Sequence, residues 1–199
     1  MNLATFQTKN SNSLLEFILF WSKRYSYANE VVYRDSISQN IFTHEDIQNL
    51  YVWKNGMKLS EKKQRSLDDK IKKKLEKIND FKKSEKVDLD LFCKEFKELT
   101  AVWRIFLVHL LKPNIYPIYD QHIHRTFLFI HSEDWTNISN DTISNINKEK
   151  FYFERYLPFI QTSTVCEIKK MDEAFFAFGQ FLNTRNYATL LTKPELVSN

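Results

Sequence analysis

Apolar residues recur at intervals of three and four along most of this chain, the spacing of one face of an α-helix. In "SLLEFILFWSKR", Leu14, Phe17, Ile18 and Trp21 form such a stripe and predict a helix over residues 13–24. "THEDIQNLYVWKNG" opens with Thr43 and has Asp46 three residues on, a start resembling a capping box, and Gly56 supplies the stop. From Ser60 a long polar helix is expected to run to residue 86, with Leu67, Ile71, Leu75 and Ile78 as its narrow apolar edge. Asp88 caps a segment reaching Leu99. Thr100 then opens "AVWRIFLVHLL", which is apolar nearly all round and so reads as a central, buried helix.

"KPNIYP" interrupts the periodicity with two prolines, and a helix resumes from Asp120 to His131. Residues 132–147 are rich in Ser and Asn and predict a loop. Two further helices are expected over 148–161, with Pro158 a kink or early end, and over 172–183, before a frayed end. In the last helix Phe175, Phe178 and Phe181/Leu182 form a core stripe, and Gly179 allows a close helix approach. There is no internal repeat or linker. The pattern describes one all-α, multi-helix domain over 1–199, with room for two helical lobes sharing a cleft.

Composition narrows this further. The 2 Gly and 4 Pro disfavour turn-dense β architectures and exclude glycine-built nucleotide loops, while 17 Phe supply the core. Cys93 and Cys166 lie far apart without metal-ligand spacing and read as a reduced intracellular pair. No run approaches ~18 apolar residues, and the amino-terminal stretch lacks a signal-peptide pattern, so a soluble, cytoplasmic chain without membrane contact is expected. Charge is uneven. Residues 54–86 hold 13 Lys/Arg against 6 Asp/Glu, although the whole chain is only +4. That asymmetry suits a surface facing a polyanion, and equally a solvated helix laced with i,i+4 pairs.

The chemistry centres on "YPIYDQHIHR", residues 116–125. Asp120 follows an X-Pro turn and falls at a helix N-cap, where its carboxylate accepts hydrogen bonds from backbone amides. The stretch resembles the catalytic-aspartate segment of the helix-hairpin-helix DNA glycosylases, the superfamily of endonuclease III and of the adenine and alkylbase glycosylases. Pro117, Ile118, Asp120, Ile123 and Arg125 match its pattern in register, and Thr100-Ala101 opens the preceding apolar helix as in that family. The resemblance covers residues 98–131. Two features depart from it: the Leu-Pro-Gly-x-Gly hairpin is replaced by "FKELTAVW", and Glu98 and Leu99 stand where bifunctional members carry a nucleophilic Lys.

The resemblance implies a compact glycosylase-like fold of two lobes around a cleft. It also implies a monofunctional DNA glycosylase that removes a damaged or modified base without a cofactor. Asp120 would stabilise the oxocarbenium-like sugar and orient the attacking water. Trp53, Tyr116, Tyr119 and His122 are candidates for the base pocket. Lys54, Asn55, Lys58, Lys62, Lys63, Thr100 and Arg125 are candidates for DNA contact, with Thr100 and the lysine-rich helix substituting for the missing hairpin. The partner expected is DNA, the oligomeric state monomeric, and the role either housekeeping repair or defence against phage DNA with modified bases. His122 and His124 point about 200° apart on a helix and cannot chelate one ion, so no metal is expected. Two other readings compete. One is a non-catalytic helical nucleic-acid-binding or interaction module. The other is a HEPN-like ribonuclease using Arg104 and His109, which have the Arg-x4-His spacing.

Overall fold

A computed structural model of the chain describes residues 13–131, 138, 144–163 and 165–184. Among these residues every regular element is helical. They are α1 (Leu14–Ser22), α2 (Glu30–Ile37), α3 (His44–Asn55), α4 (Glu61–Lys70), α5 (Leu75–Lys83), α6 (Leu89–Glu95), α7 (Ala101–Leu111), α8 (Gln121–His131), α9 (Asn145–Phe151), α10 (Leu157–Thr162) and α11 (Ile168–Leu182). A 3₁₀ turn (Lys72–Lys74) joins α4 to α5, and a π-helical turn (Tyr152–Tyr156) joins α9 to α10.

Several boundaries follow from the signals in the sequence. Ser13, Ser60 and Asp88 each accept a backbone amide as side-chain caps of α1, α4 and α6. Thr43 and Asp46 complete a reciprocal capping box, and Gly56 ends α3 at φ 72°, where a Cβ would be strained. Four boundaries differ from expectation. Helix α2 is additional; it starts at Asn29 in the left-handed conformation, with no side-chain cap to announce it. The helix expected over 61–86 is two, because the chain tightens after Ile71. There Lys70 Nζ donates to Glu98 O and Lys72 Nζ to Gln48 Oε1, tying the turn to its neighbours. Helix α11 begins at Ile168 rather than at Asp172, which is 3% exposed and sits a turn inside the helix. Finally, α9 starts at Asn145, capped by Ser144, so the loop expected over 132–147 is helical in its last residues. The rest of that loop (Ile138 apart) and the frayed end expected past Thr184 lie outside the described residues.

Pro158 neither ends nor breaks its helix. A proline inside an α-helix lacks an N–H and drives its ring toward the carbonyl four residues back. The π turn immediately before it, Tyr152–Tyr156, widens the backbone at that point, so α10 continues to Thr162.

The residues fall into two compact units that interleave along the chain. The larger holds α2 to α7 with α9 and α10, and its centre is α7, where Ile105 to Leu111 are all buried. Two of its buried polar groups are matched closely. Asn79 accepts from Phe42 N (2.8 Å) and donates to Phe42 O (2.9 Å), and Arg104 grips Glu149 of α9 through two nitrogens.

The smaller unit contains α1, α8 and α11. Phe17 and Trp21 of α1 pack edge-on and tilted against Phe175 and Phe178 of α11, with ring centroids 4.9–6.1 Å apart. On its other side α11 meets α8 backbone to backbone: a Cβ on Gly179 would stand 2.0 Å from the carbonyl oxygen of His122. Thr126 Oγ1 donates to Phe175 O at 2.6 Å one turn further along the same seam. Adding a methyl there has no flexible side chain to displace. Gly179→Ala is therefore expected to cost at or above the upper end of the ~1–3 kcal/mol typical of overpacking. Urea denaturation should show a lowered midpoint, and an unchanged midpoint would contradict the close approach.

Candidate functional site

Helix α8 begins at Asp120. The residues just before it, Tyr116 to Tyr119, are buried in the larger unit. Two side chains hold their carbonyls: His109 Nδ1 lies 2.7 Å from Tyr116 O, and Tyr152 Oη donates to Pro117 O at 2.9 Å. A carbonyl only accepts, so His109 carries its proton on Nδ1 and its Nε2 accepts from Tyr33 Oη, 2.7 Å away. The ring of Tyr119 sits among Phe151, Tyr152 and Tyr156.

Asp120 itself is half-buried and belongs to the smaller unit. Its Oδ1 accepts from the backbone N–H of His122 at 2.8 Å and of Ile123 at 3.0 Å, the arrangement of an N-cap. These amides and the positive end of the helix dipole face the carboxylate. Two further side chains of α8 stand nearby. Arg125 Nη1 lies 3.3 Å from His122 Nδ1, and burial pulls the guanidinium's pKa below its usual value while Asp120 pulls it the other way. Across the seam from α11, Phe176 meets the His122 ring edge-to-face at 5.1 Å. Tyr25 follows Phe176 at 5.7 Å, and Lys169 Nζ sits 5.0 Å over the Tyr25 ring while pairing with Glu173. A carboxylate, a guanidinium, an imidazole and two half-buried rings thus gather within one unit.

Of the four residues offered for a base pocket, only His122 stands in this cluster. Trp53 (6% exposed), Tyr116 (8%) and Tyr119 (1%) are core residues of the larger unit. Trp53 is sandwiched between Tyr33 at 4.1 Å and Phe106 at 6.1 Å, with Tyr27 against its edge. Phe176 and Tyr25 were not singled out from the sequence. The signal for Phe176 was present: it lies off the Phe175–Phe178–Leu182 stripe that packs the core. Tyr25 carried no comparable mark.

The residues offered for DNA contact divide as well. Asn55 is spent on the turn after α3, donating to Met57 O and accepting from Lys63 Nζ. Lys54 Nζ lies 5.7 Å from the Phe106 ring centre. Thr100 is exposed and caps α7 through its backbone position alone, with no side-chain bond. Lys58 and Lys62 project into solvent, and Arg125 belongs to the Asp120 cluster. Much of the remaining basic segment is internally tied: Lys72 to Asp68, Lys73 to Asp69, Lys74 to Glu95. The ribonuclease pair does not assemble, since Arg104 is held by Glu149, and His109 is 2% exposed between Tyr33 and Tyr116.

Cys93 and Cys166 are unbridged, and burial raises both thiol pKa values. Among the described residues no three His, Cys, Asp or Glu side chains gather as a metal site, and no helix is long and apolar enough to cross a membrane. Comparison with protein-family models, curated proteins and solved structures finds no match to this chain.

One lysine of the basic segment is electrostatically distinct. Lys82 Nζ donates to Leu110 O at 3.2 Å and lies 3.9 Å over the Phe42 ring, beside Lys112. Burial, and then the Lys112 charge, lower its pKa from the model-compound value of 10.5 to about 8. The folded state therefore releases this proton first as pH rises, so the unfolded state binds more protons between those two values and stability increases across that window. Urea midpoints measured from about pH 7.5 to 9.5 should rise for wild type relative to Lys82→Met. Taking the difference cancels buried Tyr51, whose raised pKa makes it costly to ionise at higher pH. Parallel curves would contradict the assignment.

Proposed function

We propose that the chain is a monofunctional DNA glycosylase that hydrolyses the N-glycosidic bond of a damaged or modified base, with Asp120 at its centre. The observation that carries the reading is the Asp120 carboxylate fixed by two amides at the start of α8, in a half-buried setting with an arginine nearby. In the reaction the C1′–N bond breaks and its electron pair leaves with the base. Positive charge builds on the sugar, and a water oxygen closes the new C1′–O bond. Asp120 stabilises that charge, orients the water and takes its proton. With Glu98 and Leu99 ahead of α7 rather than a lysine, the chain has no amine there for a covalent sugar intermediate.

DNA is the partner in this reading, held by exposed lysines such as Lys58 and Lys62, and no cofactor or metal takes part. The chain acts as a monomer with a glycosylase-like helical fold. It serves either base-excision repair or defence against phage DNA bearing modified bases. The burial of Trp53, Tyr116 and Tyr119 favours, as the second reading, a helical nucleic-acid-binding module without catalysis.

At ~4 Å and an effective dielectric near ~20, a carboxylate and a unit positive charge attract by about 4 kcal/mol. Confined to the transition state, that is worth about three decades in rate. Single-turnover base release from DNA carrying a panel of damaged and hypermodified bases should therefore fall about a thousandfold in Asp120→Asn, with DNA affinity retained. Equal rates in mutant and wild type would remove Asp120 from the chemistry, and binding without release from any substrate would establish the second reading.

Lys58→Gln and Lys62→Gln should each weaken DNA binding uniformly across sequences. Each should also lower the salt dependence of log K by roughly one. An unchanged slope would place DNA elsewhere.

A further inference from the structure

Helix α4 carries a charge arrangement that its own packing does not explain. Leu67 is its one apolar residue, and it is fully buried. Counted at ~100° per residue, Arg65 stands about 200° round the helix from Leu67 and Lys62 about 140°, so both face away from the protein. Both are exposed, as is Lys58 in the lead-in to the helix. Glu61 precedes Arg65 by four residues, the spacing of a helical ion pair. Yet among the described residues no ion pair or side-chain hydrogen bond holds Lys58, Lys62 or Arg65.

The far end of the same helix is the reverse. Asp68 pairs with Lys72 at 2.9 Å and Asp69 with Lys73 at 2.7 Å, so positive charge there is offset within the fold. Lys63, next to Lys62, is held by Asn55. The open cations therefore lie on the outward face of the first half of α4, where the helix dipole opposes positive charge. Such a departure from a local rule, with no contact to compensate it, is characteristic of a surface kept for a partner.

What this face lacks selects the partner. No aromatic ring stands on α4, and its only apolar side chain points inward. A strand with unpaired bases is held by rings that stack on them, and a membrane surface by apolar groups that enter the acyl boundary. Neither is present on α4. Phosphates in a duplex need only cations, and the planar fork of Arg65 matches phosphate oxygens better than an ammonium does.

We infer that Lys58, Lys62 and Arg65 form a track for the sugar-phosphate backbone of double-stranded DNA, with Arg65 gripping one phosphate and the two lysines its neighbours. The inference rests on the reading of DNA as the partner. It narrows that partner to a duplex held without regard to sequence, and it adds Arg65 to the contacts.

Fluorescence anisotropy over a salt series tests it, using the full chain with a labelled mixed-sequence duplex and with one of its separated strands. The duplex should bind about tenfold tighter than the strand, or better. Arg65→Gln should weaken duplex binding whatever its sequence and lower the slope of log K against log salt by about one. Changing Lys58, Lys62 and Arg65 together to Gln should lower that slope by about three. Lys97→Gln removes an exposed cation elsewhere in the larger unit and should leave the slope unchanged.

No binding of either nucleic acid, a strand bound as tightly as the duplex, an equal loss in Lys97→Gln, or an unchanged slope in Arg65→Gln overturns the inference. So does capture by vesicles of anionic phospholipid that Arg65→Gln abolishes. Base release separates this claim from the glycosylase. Release that needs Asp120 in a chain whose duplex binding ignores Arg65 leaves the enzyme without this track. Duplex binding that needs Arg65, with no base released from any substrate, leaves the track without the enzyme.

Discussion

The approach of α11 to the first turn of α8 is the constraint on which the smaller unit depends. Gly179 lies against the backbone carbonyl of His122 itself, so the two helices touch through their main chains where most helix pairs are separated by side chains. Backbone contact fixes register more sharply than interdigitated side chains, which can trade one rotamer for another. The Thr126–Phe175 hydrogen bond one turn away locks the same register. The position of Phe176 beside His122 follows from it, because Phe176 is placed by the helix that Gly179 draws in. On the opposite side of α11, the aromatic contacts with α1 supply the burial that keeps the helix there.

The larger unit is organised by a different principle, the internal use of charge and polarity. Its central helix α7 is sheathed in apolar residues, yet it carries Arg104 and His109, each matched by a specific partner. A buried polar group left unmatched costs far more than a matched one returns, so such side chains specify which neighbours α7 accepts. The lysine-rich segment follows the same logic at the surface. Lys70, Lys74 and Lys82 reach backbone carbonyls at Glu98, Glu95 and Leu110, where they brace the ends of other elements. A count of charges sees a polyanion-facing stripe; the bonds show that much of it is structural cross-linking.

The helical class was legible because a 3.6-residue period needs only local information, and caps such as Thr43, Ser60 and Asp88 punctuate it. Helix α2 escaped because it leaves Val31 and Val32 exposed and has no side-chain cap. Asp172 misled for the complementary reason, an acidic residue near a helix start that is interior and buried. At the candidate site, Asp120 was readable from the turn before it. His122, two residues on, was readable with it; Tyr25 and Phe176 were not, since they come from segments far from Asp120 in the chain. Trp53 shows the limit from the other side: its polar neighbours Lys54 and Asn55 suggested an accessible surface, while its ring faces Tyr33 and Phe106.

The smaller unit is also assembled from chain segments that are far apart, with consequences for synthesis. Helix α1 ends at Ser22, whereas α11, the helix it packs against, begins at Ile168. Closing so long a loop is entropically slow, and contacts of this separation form late in folding. On the ribosome Phe17, Ile18 and Trp21 therefore emerge long before their partners exist, and the α1 segment spends that interval with its apolar residues uncovered. The hazard lies in α1 and its remedy in α11, so the speed of translation between the two sets how long a chaperone must cover the first.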